Sequence, residues 1–364
     1  MDKKDHKYYT KQTYLKMSRF FEKEMFQKKA KFIMQNLKSL FRIYIFRQRV
    51  PLFVIWYLTN KCNTRCKYCN IPFREKKELS TKRALEVIDE MAKLGTLRVG
   101  LVGGEPLLRT DIDSIVSHAK SKGLMVHLYS NGFLVKQNLQ TIKKLDGIFL
   151  SLDGPEEAHD KFRGKGSYKK VIKAIRVCKP HTPVFVTTVL TKQNKQYIKY
   201  VSDLSKKMGF LVNFQPVLQI PSLATNISDY KLTNQELKDC MTEILKLKRT
   251  NPNIALSKTF LKKIINRNPK KQKKGYQLGI IKCWNGRAAC HIDSNGKLYS
   301  CIHLNNKEDA LSLDNTSFKD AFEHINSCTC ETCNVTCSVE YNFWLSLKIE
   351  PIINILKTIW RISK

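Results

Sequence analysis

No stretch of this chain offers the roughly 18 or more uncharged apolar residues that a membrane-spanning helix needs. The longest apolar candidate, Val50 to Asn60, is too short to span and is better used as a strand. Met1 to Thr10 is polar and lysine-rich and has no apolar core of a secretion signal, which favours a cytoplasmic setting. No repeat appears beyond an alternation of strand and helix patterns. Acidic residues are scarce: 31 Asp and Glu stand against 65 Lys and Arg, a net charge of +34. Such an excess suits contact with anionic surfaces, either nucleic acid or lipid headgroups, unless the spread lysines are simply solvated. No combined aromatic and basic RNA-binding module is visible, so nucleic acid is the less favoured partner.

What remains is ample for folding. The 364 residues suffice for two modest domains or one barrel with additions, and a hydrophobic content of 42% supports a core. Twelve cysteines in a chain this long, with no secretion signal, point to metal-binding thiols rather than a disulfide framework.

Three of those cysteines, Cys62, Cys66 and Cys69, are spaced C-x3-C-x2-C directly after the apolar run Leu52–Leu58, a buried strand by pattern. Three thiolates on one short loop can hold three irons of a [4Fe–4S] cube. A fourth thiolate is missing locally, which leaves one iron open to a non-protein ligand, as catalytic metal sites do. A zinc knuckle or a disulfide loop is the alternative for such a spacing.

From Leu52 to Val217 the pattern alternates. Strands are expected at Leu52–Leu58, Arg98–Val102, Met125–Tyr129, Ile148–Leu152, Val184–Leu190 and Leu211–Val217. Helices are expected at Thr81–Leu94, Asp111–Lys122, Leu134–Leu145, Tyr168–Cys178 and Lys195–Met208, with caps at Ser80, Thr110 and Ser167. Six strands with helices between them argue for an α/β fold with a parallel sheet. Residues 1–50 carry fourteen Lys and Arg against four Asp and Glu. There Ile33, Leu37, Leu40, Phe41 and Tyr44 share one face of a basic amphipathic helix. Residues 221–280 read as a helical connector with a loop at Asn266–Gly275, and residues 281–340 as a cysteine-rich segment. In residues 341–364, Ile352, Ile353, Leu356, Ile359 and Trp360 form a second apolar face beside Lys357 and Arg361. Both ends could pack on the protein or lie on an anionic membrane.

The second strand ends in Gly103-Gly104-Glu105-Pro106. Its glycines would let backbone approach a ligand closely, and its glutamate can accept bonds from an ammonium group. The third and fourth strands end in Ser130-Asn131-Gly132 and Ser151-Leu152-Asp153-Gly154, followed by His159, Asp160 and Arg163. Polar groups at strand C-termini point into a barrel mouth. Thr188 and Gln215 are expected at the same rim.

The three-cysteine loop with an aromatic, Tyr68, before the last cysteine resembles the signature of radical S-adenosylmethionine (SAM) enzymes, and Gly103–Pro106 resembles their GGEP motif. The resemblance covers residues 51–340. It implies a partial (βα)6 TIM-like barrel over 51–220, a cluster on Cys62, Cys66 and Cys69, and SAM on the open iron. It further implies that Gly103, Gly104, Glu105 and Pro106 hold the SAM amino group and that Ser130 and Asn131 contact SAM. Ser151 and Asp153 would meet its ribose, and Arg163 its carboxylate. Thr188 would lie at the cofactor or substrate. A reductant such as ferredoxin or flavodoxin is implied as partner.

A second cysteine group runs Cys283, Cys290, Cys301, Cys328, Cys330, Cys333 and Cys337. The span Ile292–Cys301 reads as a hairpin turning at Asn295-Gly296. The group resembles the SPASM/twitch extension, which implies auxiliary [4Fe–4S] clusters. Two full cubes need about eight thiolates and seven are present, so one cube on Cys283, Cys301, Cys330 and Cys333 is favoured. A structural zinc is the alternative. Cys178 and Cys240 are expected in the core. A lipid or lipid-linked substrate would explain both basic amphipathic ends and a peripheral place on the inner membrane face. A peptide-modifying maturase and a non-catalytic electron carrier or zinc scaffold are the alternatives.

Overall fold

The structure is a computed structural model. It describes residues 34, 37–75, 77–218, 220, 223–225, 227–267, 283–304, 309–326 and 333–362. The chain divides into two compact units, residues 1–50 and 51–364.

In the first unit the described residues form helix α1, residues 37–44. Leu37 and Phe41 on it are exposed, whereas Ile43, outside the expected face, is buried. Of the rest of the expected face, Leu40 and Tyr44 are half-buried, and Ile33 lies outside the described residues.

The second unit is built on a sheet. Strands β1 (Phe53–Thr59), β2 (Arg98–Gly103), β3 (Met125–Ser130), β4 (Gly147–Ser151), β5 (Val184–Leu190) and β6 (Leu211–Pro216) run parallel in chain order. Helices α2 (Thr81–Leu94), α3 (Ile112–Ser121), α4 (Leu139–Ile142), α5 (Glu156–Arg163), α6 (Ser167–Cys178) and α7 (Ile198–Met208) lie between them. The helix expected over Leu134–Leu145 shrinks to the single turn of α4. Side chains alternate across each strand, as the two-residue period requires. Val54, Trp56 and Leu58 enter the main apolar core, while Phe53, Ile55 and Tyr57 on the opposite face remain half-buried. Cys178 and Cys240 are core residues.

Two expected caps differ. Ser80 does cap α2, accepting from Arg83 N at 3.2 Å. At α6, however, the cap position is Gly166, with φ 79°, and Ser167 is the first helical residue. The Asp160 carboxylate takes over, accepting from Gly166 N, Ser167 Oγ and Tyr168 N. A carboxylate there also meets the positive end of the helix dipole. At α3 the cap position is Asp111 rather than Thr110.

Helices α8 (Ile227–Tyr230), α9 (Asn234–Leu247) and α10 (Lys258–Ile265) form the connector. The expected hairpin is present as β7 (Ala289–Ile292) and β8 (Leu298–Tyr299), turning through Gly296 at φ 79°. It is not confined to a separate domain. Strand β7 pairs in parallel with β1, with Val54 opposite Cys290, and makes the sheet eight-stranded. Without it the β1 edge would present unpaired backbone groups. Helices α11 (Phe318–His324), α12 (Thr336–Leu345) and α13 (Ile349–Ile362) complete the unit. Among the described residues no helix is long and apolar enough to cross a membrane.

Candidate functional site

The loop after β1 carries Cys62, Cys66 and Cys69, all half-buried free thiols. It is pinned from two sides. Gly104 N donates to Thr59 O at 2.7 Å and Glu105 N to Lys61 O at 2.9 Å, tying the end of β2 to the start of the loop. A Cβ on Gly103 would stand 2.3 Å from Thr59 O, and one on Gly104 2.3 Å from Lys61 O. The glycines are therefore required for contact between these two loops, and the ligand approach expected from the sequence is secondary. On the other side, Lys67 N donates to Phe162 O, and Tyr68 packs with Phe162 and Tyr230.

The thiols have polar company. The Thr64 hydroxyl lies 3.2 Å from Cys62 Sγ and 3.7 Å from Cys66 Sγ. Asn131 Nδ2 approaches Cys62 Sγ at 3.9 Å and donates to Asn63 Oδ1 at 2.7 Å. Arg163 Nη1 lies 3.8 Å from Cys66 Sγ. Burial pushes Cys62 up, and Cys69 up to about 11. Such thiols ionise when a metal supplies the compensating charge. Among the described residues no three Cys, His, Asp or Glu side chains gather as tightly as one metal ion requires. A four-iron cube places each thiolate on its own iron and suits a looser triad.

Glu105 is fully buried. Its carboxylate accepts from Leu107 N at 3.1 Å, Ser130 Oγ at 3.1 Å and Asn131 N at 2.8 Å. Pro106 opens the single 3-10 turn that aims Leu107 N back at it. No cation pairs with Glu105 among the described residues, and burial raises its carboxyl to about 7 against the pull of those three donors. A buried carboxylate short of positive charge fits the ammonium of SAM.

Tyr68, Asp153 and Arg163 form one network. Arg163 Nε donates to Asp153 Oδ2 at 2.6 Å, its Nη2 to the Tyr68 hydroxyl, and Tyr68 donates to Asp153 Oδ2 at 3.0 Å. Asp153 Oδ1 accepts from Val189 N at 3.0 Å. Burial would raise the Asp153 carboxyl, but Arg163 beside it holds it below its usual value. With both oxygens engaged, Asp153 anchors Arg163 rather than standing free for a ribose. His159 supports this loop, accepting from Asp153 N at 3.1 Å; burial lowers its imidazole to about 4 and keeps it a neutral acceptor.

Two rim expectations are corrected. Thr188 is 2% exposed and donates to Leu152 O at 2.7 Å, so it ties strands together instead of facing a ligand. Gln215 accepts from Thr336 N and donates to Asn334 O at 2.7 Å, linking β6 to the segment between Cys333 and Cys337. Ser151 sits half-buried at the end of β4. Thr64 and Asn63 were not expected as contributors, although their place between two of the loop cysteines was an available signal; His159 was expected beside Arg163, without a role of its own.

In the C-terminal segment Cys283, Cys290, Cys301 and Cys333 are buried and Cys337 is half-buried. Cys328 and Cys330 lie outside the described residues. Burial raises the Tyr341 hydroxyl, and the nearby Cys301, Cys283 and Cys337 push it the same way. Burial lowers Arg267, and Cys333 opposes that shift.

A six-stranded parallel partial barrel with three thiols after its first strand and a buried glutamate after its second defines a class of cluster-dependent enzyme. Residues 56–204 match the family model described as Radical SAM superfamily, so the chain carries a radical SAM domain. It is a radical SAM enzyme, and the family's cofactors are a [4Fe–4S] cluster and SAM. The chain is 28% identical over 276 residues to the AdoMet-dependent heme synthase of Methanosarcina barkeri, covering 70% of this chain and 77% of that one. It is 31% identical over 159 residues to the Fe-coproporphyrin III synthase of the same organism, 42% and 40% of the two chains. Mycofactocin maturase MftC of Mycolicibacterium smegmatis is 26% identical over 261 residues, 69% and 64%. Among solved structures, SuiB of Streptococcus suis bound to S-adenosylmethionine superposes with a TM-score of 0.63 at 17% identity, covering 83% of this chain and 76% of that one. That likeness shows the fold.

Glu105 makes stability pH-dependent. Its carboxyl is raised from 4.5 to about 7 in the fold. The stability tied to its protonated form is full below the unfolded value and is lost as pH rises through about 7. Thermal melting of the cluster-loaded, SAM-free protein is expected to fall between about pH 6 and about pH 8, and SAM to raise it more at the upper end. An equal SAM-induced shift at both ends would contradict the pairing.

Proposed function

We propose that this enzyme cleaves SAM reductively and directs hydrogen abstraction to a lipid or lipid-linked substrate at an anionic membrane surface. A cluster held by Cys62, Cys66 and Cys69 would supply the one electron that splits bound SAM into methionine and the 5′-deoxyadenosyl radical, which would take a substrate hydrogen. Around it, Arg163 offsets thiolate charge at Cys66, Asn131 and Thr64 donate toward Cys62, and Glu105 receives the SAM ammonium. An auxiliary [4Fe–4S] cluster would draw its four ligands from Cys283, Cys301, Cys330 and Cys333, with Cys337 as a further candidate thiol. Buried Cys290, opposite Val54 on β7, is the less suitable ligand.

The surface assignment is carried by α13. Ile349, Ile353, Leu356 and Trp360 recur every three or four residues and are 74%, 44%, 59% and 60% exposed. Lys348, Lys357 and Arg361 accompany them. The helix has 14 residues. That is about 21 Å, too short to cross a bilayer but suited to lying in its interface. Flotation with phosphatidylglycerol vesicles is expected to capture the protein and phosphatidylcholine vesicles to leave it behind. Ile353→Asp with Leu356→Asp is expected to weaken capture at least about tenfold. No capture by anionic vesicles at low salt, or equal capture of the variant, would sink the membrane reading.

A second reading follows from the named relatives: a porphyrin or peptide substrate. Mass spectrometry of products after incubation with each class distinguishes it.

A further inference from the structure

We infer that the inner face of the sheet binds a substrate carboxylate at Arg98 and His127, with the substrate's apolar body against Tyr129, Phe149 and Phe185. The inference rests on the radical SAM assignment and names the polar end of the substrate.

Strand alternation separates two faces. On β2 and β3, Val99 and Val126 face the helices and are fully buried. Arg98 and Tyr129 lie on the opposite face, as do Phe149 of β4 and Phe185 of β5, and all four are half-buried. Helix α12 lies across this face. It is tied to β6 through Thr336 and Gln215, and to β1 through Tyr341, whose ring stacks on Phe53 at 5.3 Å. The face is therefore an interior, not an outer surface.

Polar groups in that interior lack partners. The Arg98 guanidinium lies 5.2 Å from the centre of the Phe53 ring. The Arg98 side chain makes no hydrogen bond or ion pair among the described residues, and its Nε is buried. On the neighbouring strand His127, opposite Gly100, is 7% exposed, and its Nδ1 is likewise buried without a partner. Thr187 Oγ1 is a third such atom. Burial, with Arg98 and Lys120 adding to it, drives the His127 imidazole well below its usual value, so the ring is neutral and offers one N–H. Buried donors left unbonded are rare, and these two call for an acceptor. A carboxylate matches the guanidinium fork and has lone pairs to spare for the imidazole.

Between Arg98 and the SAM end runs an apolar belt. Tyr129, Phe149 and Phe185 stand in register on three strands. Their rings stack at 4.3 and 4.5 Å with planes 11° apart, so their edges line the interior. Gly147 leaves room for them: a Cβ there would stand 3.1 Å from Phe185 Cε2. Arg98 begins β2 and Gly103 ends it, a rise of about 17 Å. A substrate that reacts near SAM therefore needs a long or broad apolar body to set its carboxylate on Arg98. Burial raises the Cys337 thiol and Arg98 opposes that shift. Compensating a cluster thiolate there is the rival use of the Arg98 charge, and iron content reads it.

The probes are 1-pyrenebutyrate and laurate, with 1-pyrenebutanol and dodecanol as their uncharged counterparts. Each is titrated against cluster-loaded, SAM-bound enzyme as wild type, Arg98→Gln, Arg98→Lys and Phe149→Ala. The wild type is expected to bind each acid at least about tenfold tighter than its alcohol. Arg98→Gln is expected to abolish that preference with iron content and melting temperature unchanged. Arg98→Lys, which keeps the charge, is expected to retain part of it and reads the site even where the glutamine variant is unstable. Phe149→Ala is expected to weaken acid and alcohol alike. Laurate displacing pyrenebutyrate supports an acyl-chain body, and pyrenebutyrate that laurate cannot displace supports a ring body; the carboxylate site stands in both. Equal binding of acid and alcohol by the wild type overturns the inference, as does an unchanged preference in Arg98→Gln. Loss of iron from Arg98→Gln also overturns it and assigns Arg98 to the cluster. If the preference holds yet dithionite yields no 5′-deoxyadenosine, the enzyme assignment fails while the carboxylate site stands.

Discussion

Replacing Cys62, Cys66 and Cys69 together with alanine is expected to abolish iron–sulfur loading at this loop and reduce 5′-deoxyadenosine formation to background. The thiols are half-buried and on a loop that other contacts hold: Lys67 N on Phe162 O, and Tyr68 against Phe162 and Tyr230. The substitutions therefore remove the ligands with little effect on folding. Iron and sulfide content, SAM cleavage under reductant and thermal melting would be measured on the same preparation. Auxiliary iron is expected to remain, so the drop in iron is partial while the drop in cleavage is complete. A variant that still cleaves SAM would refute the assignment of the cluster to this loop.

The second large effect concerns Asp153. Its carboxylate is fully buried, and the side chain of its partner Arg163 is 10% exposed. Asp153→Leu leaves a buried guanidinium without its anion and strands Val189 N. Removing one member of a buried pair costs about 3–5 kcal/mol. At about 2–4 °C per kcal/mol this is a fall of roughly 10 °C in melting temperature. The double variant Asp153→Leu/Arg163→Leu removes both charges and is expected to recover part of that loss. A double variant no more stable than the single one would show that the pair itself is not the source. The pair also sets an acid limit. Asp153 lies below its usual value, so its contribution is present above the unfolded carboxylate value and is lost as pH falls through the folded one.

Much of this was legible before any coordinates. The thiol loop could be read because its ligands lie within eight residues and follow an apolar strand. The six parallel strands were legible because buried β-strands are continuous apolar runs. Glu105 was legible from the two glycines before it, though their partner was not. Only the fold shows Thr59 O and Lys61 O lying where a Cβ would be. Thr188 and Gln215 sit at the ends of correctly expected strands. Their hydroxyl and amide are nevertheless spent on Leu152 O and on the Cys333–Cys337 segment. Position along a strand is a local property; the neighbour that satisfies a polar side chain is not.

The sequence by itself determined the chemistry: which thiols stand together on one short loop, which strand precedes them, and which carboxylate follows. Local spacing is sufficient for that. The tertiary structure decided how the parts join. It placed β7 against β1 across more than 200 residues of chain and engaged both oxygens of Asp153. These depend on edge pairing, burial and compensation of charge between distant segments. Such long-range pairings leave no periodic mark on the sequence.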